Sequence, residues 1–184
     1  MPQRTPDPTD LRSRLGQPLI VDVADVHIDI PDDHYHLASG VYPAVCVDVI
    51  WTGIRWTPFG DKPTVAYVWQ VQDRHPETGH RMRAWRRFNR SLNAKAHLRL
   101  FLEKWQGGPF LPSELKEGID LERHGLDRNA HLVVEQVQSE GWARPLTVVR
   151  WALPRAPDAP FLLAEDYVRT KYRKMRPRND AISR

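Results

Sequence analysis

The amino-acid sequence predicts a mainly β domain, a five-stranded barrel with one helix between the third strand and the fourth. Five segments rich in β-branched and aromatic residues are separated by turn sequences. The segment 91–108 instead repeats its apolar residues at helical spacing. It stands between the third and fourth β segments, and this order is that of the OB-fold, a five-stranded and partly open barrel. The competing interpretation is a generic α+β sheet with one covering helix.

The first three strands are expected over 41–51, 64–72 and 81–88. Alternation assigns their core faces: Val45, Val47, Val49 and Trp51 on the first strand, and Val65, Tyr67, Trp69 and Val71 on the second. A turn over 73–80 makes the second and third strands antiparallel neighbours. The loop over 52–62 contains Gly and Pro and joins the first two strands.

The helix over 91–108 is expected to bury one apolar side, formed by Leu98, Phe101, Leu102 and Trp105. Ser91 is the expected N-cap, and Gly107-Gly108 ends the helix. Residues 112–125 are expected to add a short helical piece. The fourth and fifth strands follow over 131–138 and 145–153, joined by a hairpin loop.

The barrel domain is expected to occupy residues 38–154, between two extensions. Residues 1–37 are an N-terminal arm that is acidic in its second half. Residues 155–184 are a Pro-rich linker and a basic C-terminal tail. A strand within the N-terminal arm, added to the sheet edge of a second copy, would give a homodimer.

The composition of the 184-residue chain narrows the setting. Its one cysteine, Cys46, excludes an internal disulfide framework and indicates a cytoplasmic location. The N-terminal residues include no apolar stretch, so no signal peptide is expected. No run approaches the roughly 20 apolar residues that span a membrane.

The positive charge is concentrated in two places. The segment 81–90 has five Arg, and 169–178 has six basic residues and no acid. Without these eleven, 16 of the 27 basic residues remain against 23 acidic ones. This asymmetry indicates a polyanionic partner bound at a definite place, whereas solvated surface and a free tail are the simpler alternative.

The predicted fold brings three groups of basic and aromatic residues together, because an OB-fold binds ligands across strands two and three and between two of its loops. The expected nucleic-acid-binding residues are Arg55, Trp56 and Lys62 in the first loop, Arg81, Arg83, Trp85 and Arg87 on the third strand, Trp142 and Arg144 in the last loop, and Lys171, Arg173 and Lys174 in the tail. The remaining tryptophans, Trp51, Trp69, Trp105 and Trp151, are expected in the core. Single-stranded nucleic acid needs cations for its phosphates and flat rings for its bases.

The stretches TVAYVWQV, RRFNRSL with LRLFLEKWQGGPF, ELKEGIDL and HLVVEQVQ lie between Val41 and Pro154. This part of the chain resembles the single-stranded-DNA-binding-like OB-fold proteins of phages and other mobile elements. The resemblance implies single-stranded DNA binding in replication or recombination. The alternative is an interaction protein that docks on a protein or ribonucleoprotein complex, such as a host-defence complex.

No catalytic signature is found, so an enzyme is not expected. The chain has no GxxxxGK[ST], GxSxG or HExxH sequence. HIDIPDDHYH, residues 27–36, mixes His and Asp, but no Cys is near, and a solvated acidic loop is the favoured interpretation over a metal site. We therefore expect no cofactor and no metal.

Overall fold

The computed structural model describes residues 37–56, 60–138 and 145–172. Their elements, in chain order, are β1 (Gly40–Arg55), β2 (Lys62–Arg74), β3 (Arg81–Asn89), α1 (His97–Gln106), α2 (Pro112–Glu117), α3 (Leu121–Gly125), β4 (Asn129–Val137) and β5 (Leu146–Pro154), followed by a 3₁₀ turn (Thr170–Tyr172). The described residues confirm a mainly β chain with five strands and few helices.

The five strands form one antiparallel sheet in the order β3-β2-β1-β4-β5. The sheet is open, with β3 and β5 as its two edges. Between these edges the side chain of Arg86 donates to the carbonyl of Val149 at 2.9 Å and to that of Arg150. Side-chain hydrogen bonds therefore connect the two edges where a closed barrel would have a backbone ladder.

The inner face of the sheet, defined by Tyr67 and Trp69 of β2, carries the main core. Phe101 of α1 lies 4.8 Å from the ring of Phe88, and Trp105 lies 5.7 Å from the ring of Trp69. As expected, α1 buries Leu98, Phe101, Leu102 and Trp105, and β2 turns Val65, Tyr67, Trp69 and Val71 to the same core. The helix seals the inner face because its apolar residues recur at 3.6-residue spacing.

The start of α1 differs from the expectation. The helix begins at His97 with Ala96 as N-cap, so the prediction of Ser91 as N-cap is wrong. The backbone from Ser91 to Ala96 forms turns, with Ala96 N donating to Asn93 O. Gly107 ends the helix as predicted, in the left-handed region at φ 86°. Residues 112–125 form two short helices rather than one piece.

The prediction that Val45, Val47, Val49 and Trp51 share one face of β1 is also wrong in part. Its register with β2 shifts between Cys46 and Asp48, as at a β-bulge. Val45 and Val47 consequently pack on the outer face of the sheet, whereas Val49 packs against the main core. Trp51 opposes Val65 at the end of the inner face, and it is 52% exposed rather than buried.

The outer face of the sheet is covered in part by residues 161–172, which we call the C-terminal strap. Leu162 is buried there in a second apolar cluster with Val45, Val47, Ile50, Ala66 and Val68. The Asn129 side chain pairs with both the N–H and the C=O of Leu162, at 2.7 and 2.9 Å. This segment was expected within the linker and tail, and it instead completes the packing of the sheet.

Gly125 of α3 gives a test of how closely this helix packs on the sheet. A Cβ there would lie 2.5 Å from Cε1 of Tyr67, which is fully buried and so has no room to move. Gly125→Ala should therefore lower the free energy of unfolding by about 1–3 kcal/mol. Gly108→Ala, where an added Cβ meets nothing within 4 Å, is the control. Equal urea midpoints for the two variants would contradict this packing.

Candidate functional site

The outer face of β3 presents the basic and aromatic residues that alternation predicts. Arg83, Trp85 and Arg87 oppose Gln70, Val68 and Ala66 of β2 without a break in register. Ala84 and Phe88 point to the inner face and are buried. Arg86 also lies on the inner side, over the rings of Phe88 and Phe101, and burial there lowers its pKa.

The strap covers the end of this face around Arg81. The Arg81 side chain is only 10% exposed and donates to Leu163 O at 3.0 Å and to Glu165 Oε1 at 2.6 Å. Arg74 donates to the other carboxylate oxygen of Glu165 at 2.7 Å. The Gln70 side chain pairs with both the N–H and the C=O of Glu165. Arg81 therefore faces a carboxylate of its own chain.

Arg83 is also covered, because its guanidinium carbon lies 5.9 Å from the centre of the Tyr167 ring. Beyond Tyr167 the strap is fixed to Asp48, which is 1% exposed. Tyr167 Oη, Arg169 Nε and the Thr170 N–H all donate to its carboxylate, at 3.2, 3.2 and 2.7 Å. These contacts hold the strap at the bulge of β1.

Lys171, predicted to bind nucleic acid from a free tail, instead contacts α3. Its Nζ lies 2.8 Å from Oε1 of Glu122, an oxygen that Arg169 also approaches at 2.7 Å. The hydrogen bond from Arg169, then that from Lys171, lowers the pKa of Glu122 to about 2. The described part of the basic tail therefore has an internal partner, because Arg169 and Lys171 both pair with Glu122.

The other end of the outer face is uncovered. Trp85 is 39% exposed, and the guanidinium carbon of the exposed Arg87 lies 5.7 Å from its ring centre. A second pair lies at the same end of the sheet but on its inner face, because Trp51 opposes Val65 of the inner face whereas Arg87 opposes Ala66 of the outer face. The exposed Arg90 lies 5.0 Å from the Trp51 ring. Two tryptophan–arginine pairs thus lie at the same end of β1, β2 and β3.

The residues predicted in the first loop lie at this end too. Arg55 opposes Lys62 where β1 ends and β2 begins, and the Trp56 side chain is 75% exposed. Trp142 and Arg144, Arg173 and Lys174, and the acidic stretch with its His/Asp motif all lie outside the described residues. Seven of the predicted residues lie on β1–β3 or next to them within the described residues. The strap covers Arg81 and Arg83, whereas the exposed ones are Arg55, Trp56, Trp85 and Arg87, with Lys62 partly exposed.

Sequence reasoning missed three contributors: Trp51 with Arg90, the buried Asp48, and the strap. One signal for the strap was present. TVAYVWQV is apolar at successive positions, and a strand that buries both faces needs a cover on each. No comparable signal in the sequence marks the bulge, which places Trp51 on the opposite face of β1 from Val45 and Val47.

Other kinds of site are not seen in the described part of the chain. Residues 37–56, 60–138 and 145–172 contain no group of three His, Cys, Asp or Glu side chains able to hold a metal ion. No helix in these ranges is long and apolar enough to cross a membrane. Burial raises the pKa of the Cys46 thiol far above its ordinary range, so the thiol stays protonated.

Comparison with known proteins gives no match: no family model fits the sequence, and no curated protein or solved structure is significantly similar.

The contact of Glu122 with the strap predicts an acid-sensitive contribution to stability. Because its pKa falls from 4.5 to about 2 on folding, the carboxylate stabilises the fold fully above about pH 4.5. This contribution is lost as the pH falls towards 2. The thermal midpoint of Glu122→Gln should lie below that of the wild type at about pH 6, and the difference should shrink by about pH 2.5.

Glu117→Gln, at an exposed position on α2, is the matched control. Its midpoint should follow that of the wild type over the same pH range. A Glu122→Gln difference that stays constant down to about pH 2.5 would contradict the paired carboxylate.

Proposed function

We propose that this chain binds single-stranded nucleic acid at the exposed end of β1–β3, through an OB-fold. The observation that carries the proposal is the exposed pair of Trp85 with Arg87 on the outer face of β3, with a second exposed pair, Trp51 with Arg90, at the same end of the sheet but on its inner face. Exposed indole rings stack on bases, and guanidinium groups pair with phosphates and also stack.

The strand order supports the OB-fold as the finer description of the sheet. In that fold β1 pairs with both β2 and β4, and a helix stands between β3 and β4. Both features are present. The Arg86 hydrogen bonds from β3 to β5 join the two strands that would meet at the closure. We propose that the barrel closes through these side chains.

The resemblance to single-stranded-DNA-binding-like proteins of phages and mobile elements supports DNA as the ligand. We propose a role in replication or recombination of such an element, in the cytoplasm, as a binding protein rather than an enzyme. The remaining first-loop residues, Arg55, Trp56 and Lys62, extend the same basic and aromatic surface beyond the strand ends.

Alanine at Trp85 or Arg87 tests this proposal. Loss of one stacked base corresponds to about 1–3 kcal/mol, so Trp85→Ala should weaken binding of a labelled (dT)20 by about 5- to 150-fold. Arg87→Ala should weaken it less and should also flatten the dependence of affinity on salt, because one phosphate contact is removed. Fluorescence anisotropy over a series of salt concentrations measures both effects.

Phe161→Ala is the matched control for Trp85→Ala. Phe161 is also an exposed aromatic residue beside an arginine, with Arg155 at 5.9 Å, but it lies on the strap. Lys116→Ala, on the exposed surface of α2, is the control for lost charge. Circular dichroism establishes that each variant is folded. Unchanged affinity in folded Trp85→Ala and Arg87→Ala would overturn the proposal.

One observation favours the alternative of protein docking. The strap exposes four large apolar side chains, those of Phe161, Leu163, Val168 and Tyr172. An exposed apolar patch is typical of a protein interface. If Phe161→Ala, and not Trp85→Ala, impairs function, a protein partner on the strap is the better account.

A further inference from the structure

We propose that Arg74, Arg81 and Gln70 form a phosphate-binding position beneath the strap, and that Glu165 occupies it until a single strand displaces the carboxylate. This inference rests on the proposed function, since the incoming phosphate belongs to the same nucleic acid. Arg74 was not among the residues predicted to bind nucleic acid. Arg81 was among them, but the structure shows its side chain covered by the strap.

The geometry around Glu165 is that of an oxyanion site. Arg74 Nη2 lies 2.7 Å from Oε2, and Arg81 Nη2 lies 2.6 Å from Oε1, so each carboxylate oxygen has its own guanidinium. A phosphodiester offers two non-bridging oxygens to the same pair of donors, and arginine is suited to such recognition. The carboxylate thus stands in for one phosphate of the ligand.

Arg81 has a donor that the strap does not use. Its Nε is buried and has no hydrogen-bond partner within the described ranges. A buried donor without a partner is costly, and most such groups in proteins find one. Each non-bridging oxygen of a phosphodiester can accept more than one hydrogen bond, so a phosphate placed between Arg74 and Arg81 can accept from Nε as well as from Nη2.

The position continues the exposed interface along β3. Arg81 and Arg87 are six residues apart on one strand, which corresponds to about 20 Å of extended chain. Arg83 and Trp85 lie between them. An OB-fold holds about 4–16 nucleotides, so one strand can contact Trp85 and reach Arg81 together.

In the middle of the strap, the Glu165 backbone is held by Gln70, and its carboxylate is held by the ion pairs with Arg74 and Arg81. Glu165 and Arg74 are both partly exposed, and ion pairs of this kind contribute about 0–1 kcal/mol. The two flanking parts are held by buried groups, Leu162 with Asn129 on one side and Asp48 on the other. The carboxylate can therefore leave its arginines while the strap remains attached at both ends.

Glu165→Gln tests the inference, with Asp158→Asn as the matched control. Both variants remove one negative charge, but Asp158 lies in the exposed turn before the strap. Glu165→Gln should bind (dT)20 about fivefold more tightly than the wild type at low salt, and this gain should shrink as salt screens the pair. Asp158→Asn should change the affinity by less than about twofold. Adding Arg74→Gln to Glu165→Gln should remove the gain.

Hydrogen exchange gives a second readout in the unaltered chain. Amides of residues 163–166 should exchange faster when (dT)20 is bound, since the Glu165 N–H is otherwise held by Gln70. Unchanged protection with bound oligonucleotide would overturn the displacement, as would equal affinities of Glu165→Gln and Asp158→Asn. In both cases, binding of (dT)20 by the wild type that depends on Trp85 would still support the proposed function. If neither the wild type nor any variant binds (dT)20, both proposals fail.

Discussion

The buried carboxylate of Asp48 is the constraint on which the rest of the outer surface depends. The register shift after Cys46 places this acid on the outer face of the sheet, where it is 1% exposed. An ionised carboxylate without partners is very unfavourable at such a site. Apart from the Val49 N–H, its hydrogen bonds come from Tyr167, Arg169 and Thr170. The chain must therefore return across the sheet, and the strap follows from this requirement.

The strap divides one strand face into two parts with different chemistry. Arg81 and Arg83 lie under it and contact an acid and an aromatic ring of the same chain. Trp85 and Arg87 continue the same face beyond its edge, and there the indole ring is exposed. In the proposed function, a single strand meets the exposed part first and gains Arg81 only by replacing Glu165. The proposal thus assigns to one sheet face both a binding surface and an internal competitor for part of it.

Alternation and helical spacing were sufficient to predict the five strands and α1, because the main core is built from those two periods. The strand ends and the outer face were harder to predict. Trp51 was expected in the core from its place in an apolar strand, but its position at the end of β1 leaves it exposed. The sequence PRAPDAP predicts a linker, and no local sequence pattern indicates that Leu162, which follows it, is buried. Such contacts join residues more than 90 positions apart, and local patterns do not encode them.

Whether the buried ion pair of Asp48 and Arg169 fixes the strap to the sheet can be measured with a double-mutant cycle. The free energy of unfolding is measured for the wild type, Asp48→Asn, Arg169→Gln and the double variant. Because Asp48 is buried and the Arg169 side chain is only 15% exposed, each single change leaves a polar group without its partner. If the pair holds the strap, the coupling energy is at least about 2 kcal/mol. A coupling energy near zero would show that the strap does not depend on this pair.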